Sequence, residues 1–164
     1  MVHNETSTGS TSRIKEVRDA INSANHDALL MVDTISGLAS MEYKHDEWGI
    51  DVTVSGSQKG LMLPPGLSFN AISEKAIKIS KKSGIRRSYW DWEEQIEANR
   101  SVSFPYTPAT NLLYGLKEAI KMLHEEGLDK VFKRHDRHAK ATRLAVQSWG
   151  LEVQCKEERD FSSV

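Results

Sequence analysis

Apolar residues along this chain recur in two rhythms. Ile14, Val17, Ile21 and Ala24 repeat at the spacing of a helix face. Ser10-Thr11-Ser12 ahead of them can cap the first turn, and Asn25-His26-Asp27 ends the element. Ala28-Leu29-Leu30-Met31-Val32 is instead an unbroken apolar run closed by Asp33, which predicts a strand covered on both faces. Ile50–Val54 predicts the next strand, running into Ser55-Gly56-Ser57-Gln58-Lys59-Gly60, and Leu67–Ile72 a third after the turn Pro64-Pro65-Gly66. A second helix is predicted over Ser73–Lys82. Beyond Gly84 the chain turns irregular and aromatic (Tyr89, Trp90, Trp92, Phe104, Tyr106), and Pro105 and Pro108 argue against continued helix there.

The last third is helical. Leu112, Leu116, Ile120 and Leu123 form one stripe, and Gly127 is a natural stop just past them. A further helix should bury Leu128, Val131, Phe132, His135, Ala139, Thr142, Val146 and Trp149, with Gly150 beyond its end. Strands alternating with helices predict an α/β layer structure, in which ligands bind beyond the C-terminal ends of parallel strands. That rule puts Asp33 and the Ser55–Lys59 turn on the same rim.

Composition narrows the partner. At 164 residues and 38% hydrophobic the chain is one ordinary domain or a part of a larger one. Lysine plus arginine (22) nearly cancels aspartate plus glutamate (23), so no global field selects nucleic acid or an anionic membrane. A small molecule is the expected partner. Cys155 stands alone, which excludes an intramolecular disulfide and a multi-cysteine zinc site and fits a reducing compartment. Ala28–Val32 is too short to span a bilayer, and His3-Asn4-Glu5-Thr6 has no signal-peptide character. Both ends, Thr6–Ser12 and Asp160–Val164, read as cuts in a longer protein.

A carboxylate and a lysine on one rim suit a particular chemistry. An amine that condenses with an aldehyde cofactor benefits from a confined setting, and Lys59 sits among small residues. A carboxylate such as Asp33 against a pyridine nitrogen keeps that nitrogen protonated, and the N–H groups and hydroxyls of Ser55-Gly56-Ser57 could hold a phosphate. Buried-strand aspartates and loop lysines are common, so spacing alone leaves the purely structural reading ahead.

Three segments change that balance: Val32-Asp33-Thr34-Ile35-Ser36, Asp46-Glu47-Trp48-Gly49-Ile50-Asp51, and Ser55-Gly56-Ser57-Gln58-Lys59-Gly60 through Pro64-Pro65-Gly66. Together they resemble the core of the class V aminotransferases, and within that class the serine–glyoxylate and alanine–glyoxylate aminotransferases. The likeness extends to His3-Asn4-Glu5-Thr6-Ser7-Thr8-Gly9 and to Phe104-Pro105-Tyr106-Thr107-Pro108, nearly the whole chain.

The resemblance implies an α/β fold, part of the large domain of a type I pyridoxal-phosphate (PLP)-dependent transferase. Its sheet would be mostly parallel with flanking helices. Residues 1–126 would be the partial PLP-binding large domain and 127–164 the truncated beginning of the small C-terminal domain. It implies transfer of an amino group from serine or alanine to glyoxylate through a pyridoxal 5'-phosphate Schiff base on Lys59, which also moves the substrate proton. Asp33 would pair with the pyridine nitrogen, Ile35 press on one ring face, Thr6 approach the ring hydroxyl and Gln58 lie near the phosphate. The loop matching Tyr106 and Thr107 would reach the phosphate of a neighbouring subunit, implying a homodimer. Amino acid and 2-oxo acid substrates follow, and no metal, nucleic acid or membrane. The location would be cytoplasmic, or peroxisomal in a plant.

Family members are considerably longer. The Gly-rich phosphate loop, the aromatic residue stacked on the ring's other face and the arginine that grips the substrate carboxylate are not in this chain. A noncatalytic truncated fragment is therefore one alternative. Cysteine desulfurases share the class V fold, but they resemble one another in a histidine before the lysine, where this chain has Gln58. His135-Asp136-Arg137-His138 offers only two imidazoles, and His135 falls on the apolar stripe. Lys75, Lys78, Lys81, Lys82, Arg86 and Arg87, followed by Tyr89 and Trp90, would suit a nucleic-acid-binding module, although a solvated helix face explains the same residues.

Overall fold

The structure, a computed structural model, describes residues 1–164. A short hairpin opens the chain: β1 (Asn4–Glu5) pairs antiparallel with β2 (Ser10–Thr11). Helix α1 (Ile14–Ser23) comes next. Ser10-Thr11-Ser12 does not cap it; Arg13 occupies that position and no side chain accepts the first N–H groups. The reason is local, since Ser10 and Thr11 are committed to the hairpin ladder. Asn25, at φ +47°, turns the chain out of α1.

The main sheet runs in the order β3 (Met31–Asp33), β4 (Val52–Gly56), β5 (Ser68–Ile72). β3 and β4 are parallel, whereas β4 and β5 are antiparallel, so the sheet in this region is mixed. The N-terminal residues extend it: Val2 bridges Asp33 in parallel, and His3 N–H donates to the Asp33 carbonyl at 2.8 Å. β3 is shorter than the apolar run and covered on one face. Leu30, Val32 and Thr34 are buried, but Met31 is 50% exposed and Asp33 is exposed. Ile14, Leu30, Val32 and Ile50 form the core on the covered side, with Val17, Ile21, Tyr43 and Trp48 packed around it.

One buried ion pair joins these elements. Arg18 on α1 donates to the Asp51 carboxylate, both residues being under 10% exposed. The same carboxylate accepts from Leu30 N–H at 2.8 Å and from Ser73 Oγ at 3.1 Å. Ser73 in turn caps α2 (Glu74–Lys82) by accepting from Ala76 N–H at 3.1 Å.

The irregular stretch holds a helix that the aromatic pattern hides. After a turn of 3-10 helix at Ser88–Trp90, α3 spans Trp92–Arg100, capped by Asp91 through Glu93 N–H at 2.8 Å. Its side chains form no strong apolar stripe and none is buried, so the start signal lies in Asp91 and the acidic first turn rather than in periodicity. Pro105 and Pro108 fall after it, where the chain is indeed not helical.

α4 (Thr110–Glu126) and α5 (Leu128–Ser148) form the predicted pair around Gly127, at φ +84°. Leu123, Ala119 and Val131 pack with Leu61 and Leu63 from the loop after β4. Burial fades at the ends of α5's stripe: Val131 is 1% exposed, but Leu128 is 44% and Trp149 72% exposed. No helix is long and apolar enough to cross a membrane.

The Asp51 carboxyl illustrates what holds the layers. Burial pushes its proton affinity up, but the Leu30 N–H, the Arg18 guanidinium and the Ser73 hydroxyl outweigh that and hold it below the usual carboxylate range. A lowered folded-state value means that the stabilisation is present above the unfolded carboxylate range and is lost as pH falls through the folded value. Arg18→Ala leaves this buried carboxylate unpaired and should cost about 3–5 kcal/mol in urea denaturation at neutral pH, with the deficit shrinking in acid.

Candidate active site

Parallel pairing of β3 with β4, in register Asp33 against Val54, ends both strands at one edge. The edge is tightly tied. Thr34 donates to the Val54 carbonyl from both its N–H (2.8 Å) and its Oγ1 (3.1 Å), and the Ser55 hydroxyl donates to the Thr34 carbonyl at 3.4 Å. At the end of β3 the Asp33 Oδ1 accepts from Ile35 N–H at 2.8 Å. That bond orients the carboxylate and leaves its second oxygen open on the uncovered face of the strand.

Beyond β4 the chain enters a turn built around Ser57, which is completely buried. Its hydroxyl donates to the Pro64 carbonyl at 2.7 Å and accepts from Leu67 N–H at 3.2 Å, while the Ser57 carbonyl accepts from Leu63 N–H at 3.1 Å. Lys59 starts the tight turn at the tip, closed by Met62 N–H to the Lys59 carbonyl at 2.8 Å with Met62 at φ +61°. The hydroxyls of Ser55 and Ser57 therefore do not serve as anion ligands. Both are buried and each donates to a backbone carbonyl, Ser57 to that of Pro64 and Ser55 to that of Thr34, which also accepts from Gly37 and Leu38 N–H. Lys59 and Gln58 are exposed, so these residues alone do not provide the confined setting expected for the amine.

Gly60 explains how the Lys59 turn is positioned. A Cβ at this residue would collide with the Leu38 carbonyl oxygen and lie 2.6 Å from Ser40 Oγ. The turn is thus seated directly on the 34–40 segment that succeeds Asp33. That segment is anchored on its other side by the hairpin: Asn4 Nδ2 donates to Ser36 Oγ, and Ser36 Oγ donates to the Asn4 carbonyl, both at 2.9 Å. Thr6 lies two residues further on, exposed in the turn between β1 and β2. Ile35 is half-buried between the anchored Ser36 and Asp33.

Asp33, Ile35, Thr6, Gln58 and Lys59 therefore lie on three segments that the structure ties together. Tyr106 and Thr107 lie elsewhere, on the connection between α3 and α4. There the Tyr106 hydroxyl donates to Glu94 at 3.2 Å, and its ring sits 4.9 Å from Tyr89.

Sequence reasoning missed Asn4, Ser36 and Ser57 as positioning residues, because a lone polar residue in a loop carries no periodic signal. It also missed His3, 3% exposed, whose ring stacks 5.2 Å from Tyr43 and whose Nδ1 fills the space beside Gly37. Burial holds that imidazole below its usual range, as it does the half-buried His135.

Much of the 75–87 basic stretch is spent within the fold. Lys75 reaches the Ala28 carbonyl, Lys81 pairs with Glu93, and Arg87 binds Ser80 and Asp91.

A carboxylate with one free oxygen at the end of a parallel strand, facing the rim that carries an exposed amine, is a donor set that fits a pyridine-based aldehyde cofactor. The family model described as aminotransferase class-V matches residues 1–160. The chain belongs to the class V aminotransferases.

Among relatives, a serine–glyoxylate aminotransferase of Methylorubrum extorquens is 49% identical over 99% of this chain and 42% of that protein. An L-aspartate–glyoxylate aminotransferase of Paracoccus denitrificans is 43% identical over 92% of this chain and 38% of that protein. The crystal structure of pyridoxamine–pyruvate aminotransferase from Mesorhizobium loti superposes with a TM-score of 0.88 at 27% identity, over 99% of this chain and 42% of that one. The chain thus spans about two fifths of the proteins it matches. Its architecture is that of a piece of the large domain of the type I fold, and the family implies pyridoxal 5'-phosphate.

In this class V aminotransferase the seat under Gly60 has no room for a methyl group. Gly60→Ala should destabilise the fold by about 1–3 kcal/mol or displace the Lys59 turn. Denaturant melts and the accessibility of Lys59 to amine-reactive labels would show which.

Proposed function

We propose that this chain supplies the cofactor side of a pyridoxal-phosphate-dependent transamination, with Lys59 as the attachment amine and Asp33 as the partner of the pyridine nitrogen. One observation carries the reading. Register pairing of β3 with β4 and the Gly60 seat hold the Asp33 rim and the Lys59 turn against each other.

Bound at this rim, pyridoxal phosphate supplies an electron sink for the carbanion left when a substrate loses its alpha proton. The chain's own groups do the rest. Asp33, oriented by Ile35 N–H, would offer its free oxygen to a protonated ring nitrogen as a charge-assisted acceptor. Lys59, on a turn with fixed backbone, would hold the cofactor and, once released from it, would carry the substrate's alpha proton on its own amine nitrogen. Ile35 offers an apolar contact for one ring face, the Thr6 hydroxyl a hydrogen bond for the ring hydroxyl, and Gln58 an amide for the phosphate. Tyr106 and Thr107 serve the phosphate of a second subunit, which makes the assembled enzyme a homodimer with shared sites.

The substrates in this reading are serine and glyoxylate, with alanine as the other donor. Support comes from the 49% identical relative named for serine–glyoxylate transfer. A relative named for aspartate–glyoxylate transfer is nearly as similar, so glyoxylate as acceptor is the common factor and the donor is set by residues beyond these. Residues 1–126 form the cofactor half and 127–164 the start of the small domain, hinged at Gly127.

Incubation with pyridoxal phosphate, borohydride reduction and peptide mapping test the reading directly. Label should concentrate at Lys59 and vanish in Lys59→Ala. Asp33→Ala should weaken cofactor binding by roughly tenfold or more, the worth of one hydrogen bond to a charged group. Label scattered over surface lysines and unchanged in Lys59→Ala would sink the proposal.

A further inference from the structure

The turn that carries Thr6 is held from an unexpected direction. Within the hairpin it is closed by Thr8 N–H and Gly9 N–H onto the Glu5 carbonyl. Its outer edge is not left to solvent. Ser10 forms an isolated antiparallel bridge with Phe161, and Ser162 N–H donates to the Gly9 carbonyl at 2.9 Å, so residues 161–162 strap the edge of the hairpin from far along the chain.

Two arginines clamp this strap. Arg13, immediately after the hairpin, meets Asp160 with two parallel bonds, Nε to Oδ1 at 2.7 Å and Nη2 to Oδ2 at 2.8 Å. Arg143, on α5, donates to the Ser162 carbonyl at 2.7 Å and lies over the Phe161 ring at 4.7 Å from its centroid. Paired bonds of this fork geometry fix orientation as well as distance. The Arg13–Asp160 pair is also part-shielded, with side-chain exposures of 32% and 18%, unlike the open pairs along the helices.

We infer that the 160–162 strap is a positioning device for the cofactor site: through Arg13 and Arg143 it couples α5 to the Thr6 turn and holds that turn in place. The inference rests on the proposed contact between Thr6 and the cofactor. Arg13, Asp160 and Arg143 touch neither substrate nor cofactor in this arrangement. They act on Thr6 through the backbone of Gly9 and Ser10. Any movement of α5 or of residues 149–164 would therefore be felt at the cofactor's edge, which gives the C-terminal half a mechanical line to the rim.

The test compares the intact protein with Arg13→Gln, Arg143→Gln and Thr6→Ala, singly and combined. Hydrogen exchange over residues 5–11 should rise by roughly tenfold in each arginine variant, while β4 exchanges as before, the signature of local opening. Pyridoxal phosphate affinity, read from saturation of reductive labelling at Lys59, should fall by about threefold or more in each. Adding Thr6→Ala should produce less than the product of the separate losses, because both changes act on one contact.

Exchange that is unchanged, or that rises evenly along the chain, would overturn the strap. So would unchanged affinity, or losses that multiply independently of Thr6. A wild-type protein that takes no label at Lys59 fails the cofactor reading itself, and the strap's role in it, whatever the exchange shows.

Discussion

Everything on the rim depends on the carboxylate of Asp51, at the opposite end of the strands. It gathers Arg18 from α1, the N–H of Leu30 before β3 and the hydroxyl of Ser73 before α2. Its backbone does as much: Asp51 N–H donates to the Leu30 carbonyl, and Ser73 N–H to the Asp51 carbonyl. A buried pair of this kind returns little net energy, since desolvating two charges nearly offsets their attraction. Its value is registration. With Leu30 fixed opposite Asp51, β3 can meet β4 in only one alignment, and that alignment brings Asp33 level with Val54. A slip of one residue would turn Asp33 into the core and Val32 out to the open face.

From that register the rim is assembled by backbone contacts rather than by the reactive side chains. Ser57 and Ser36 each use one hydroxyl to close two segments, and Gly60 permits an approach that any side chain would prevent. Asp33 and Lys59 contribute chiefly through their backbones; of their side chains only the Asp33 carboxylate makes a bond, to the nearby Ile35 N–H. Carrying these side chains on a scaffold that is closed by other groups leaves them free to change partners. Lys59 is exposed because nothing in its own turn needs to cover it. Confinement of that amine would have to come from whatever docks against the rim.

The parts legible in the sequence were those with a period or a familiar segment. The stripes Ile14–Val17–Ile21 and Leu112–Leu116–Leu123 marked α1 and α4 at nearly their true limits, and the rim came from the rule for parallel strands. Failures have physical reasons. The run Ala28–Val32 looked fully buried, because hydrophobicity does not say whether the covering layer belongs to the same stretch of chain. α3 was hidden because its side chains pack against little, leaving only its Asp91 cap as a signal. The Ser55 and Ser57 hydroxyls resembled a phosphate cradle in sequence, and only the path of the chain shows that backbone carbonyls claim them. The Asn4–Ser36 tie and the strap at Phe161 join residues 32 and about 150 positions apart, distances over which no local pattern speaks.

The same structure shows why a piece covering two fifths of its relatives' length can still carry a defined rim. Hydrogen bonds donated by Asn4, Thr34, Ser36 and Ser57 all run between segments inside residues 1–67, so the hydrogen-bonded frame around Asp33 and Lys59 is closed locally. The Lys59 turn draws in addition on packing of Leu61 and Leu63 against α4 and α5, and the Thr6 turn on hydrogen bonds from residues 161–162. Cofactor-side groups therefore divide into two kinds. Asp33 and Lys59 stand on backbone whose hydrogen bonds close locally, whereas Thr6 stands on backbone whose last contact is made by residues beyond α5. Under the proposed function, the partners of the ring nitrogen and of the attachment point would stay constant, while the Thr6 contact would follow the position of residues beyond α5.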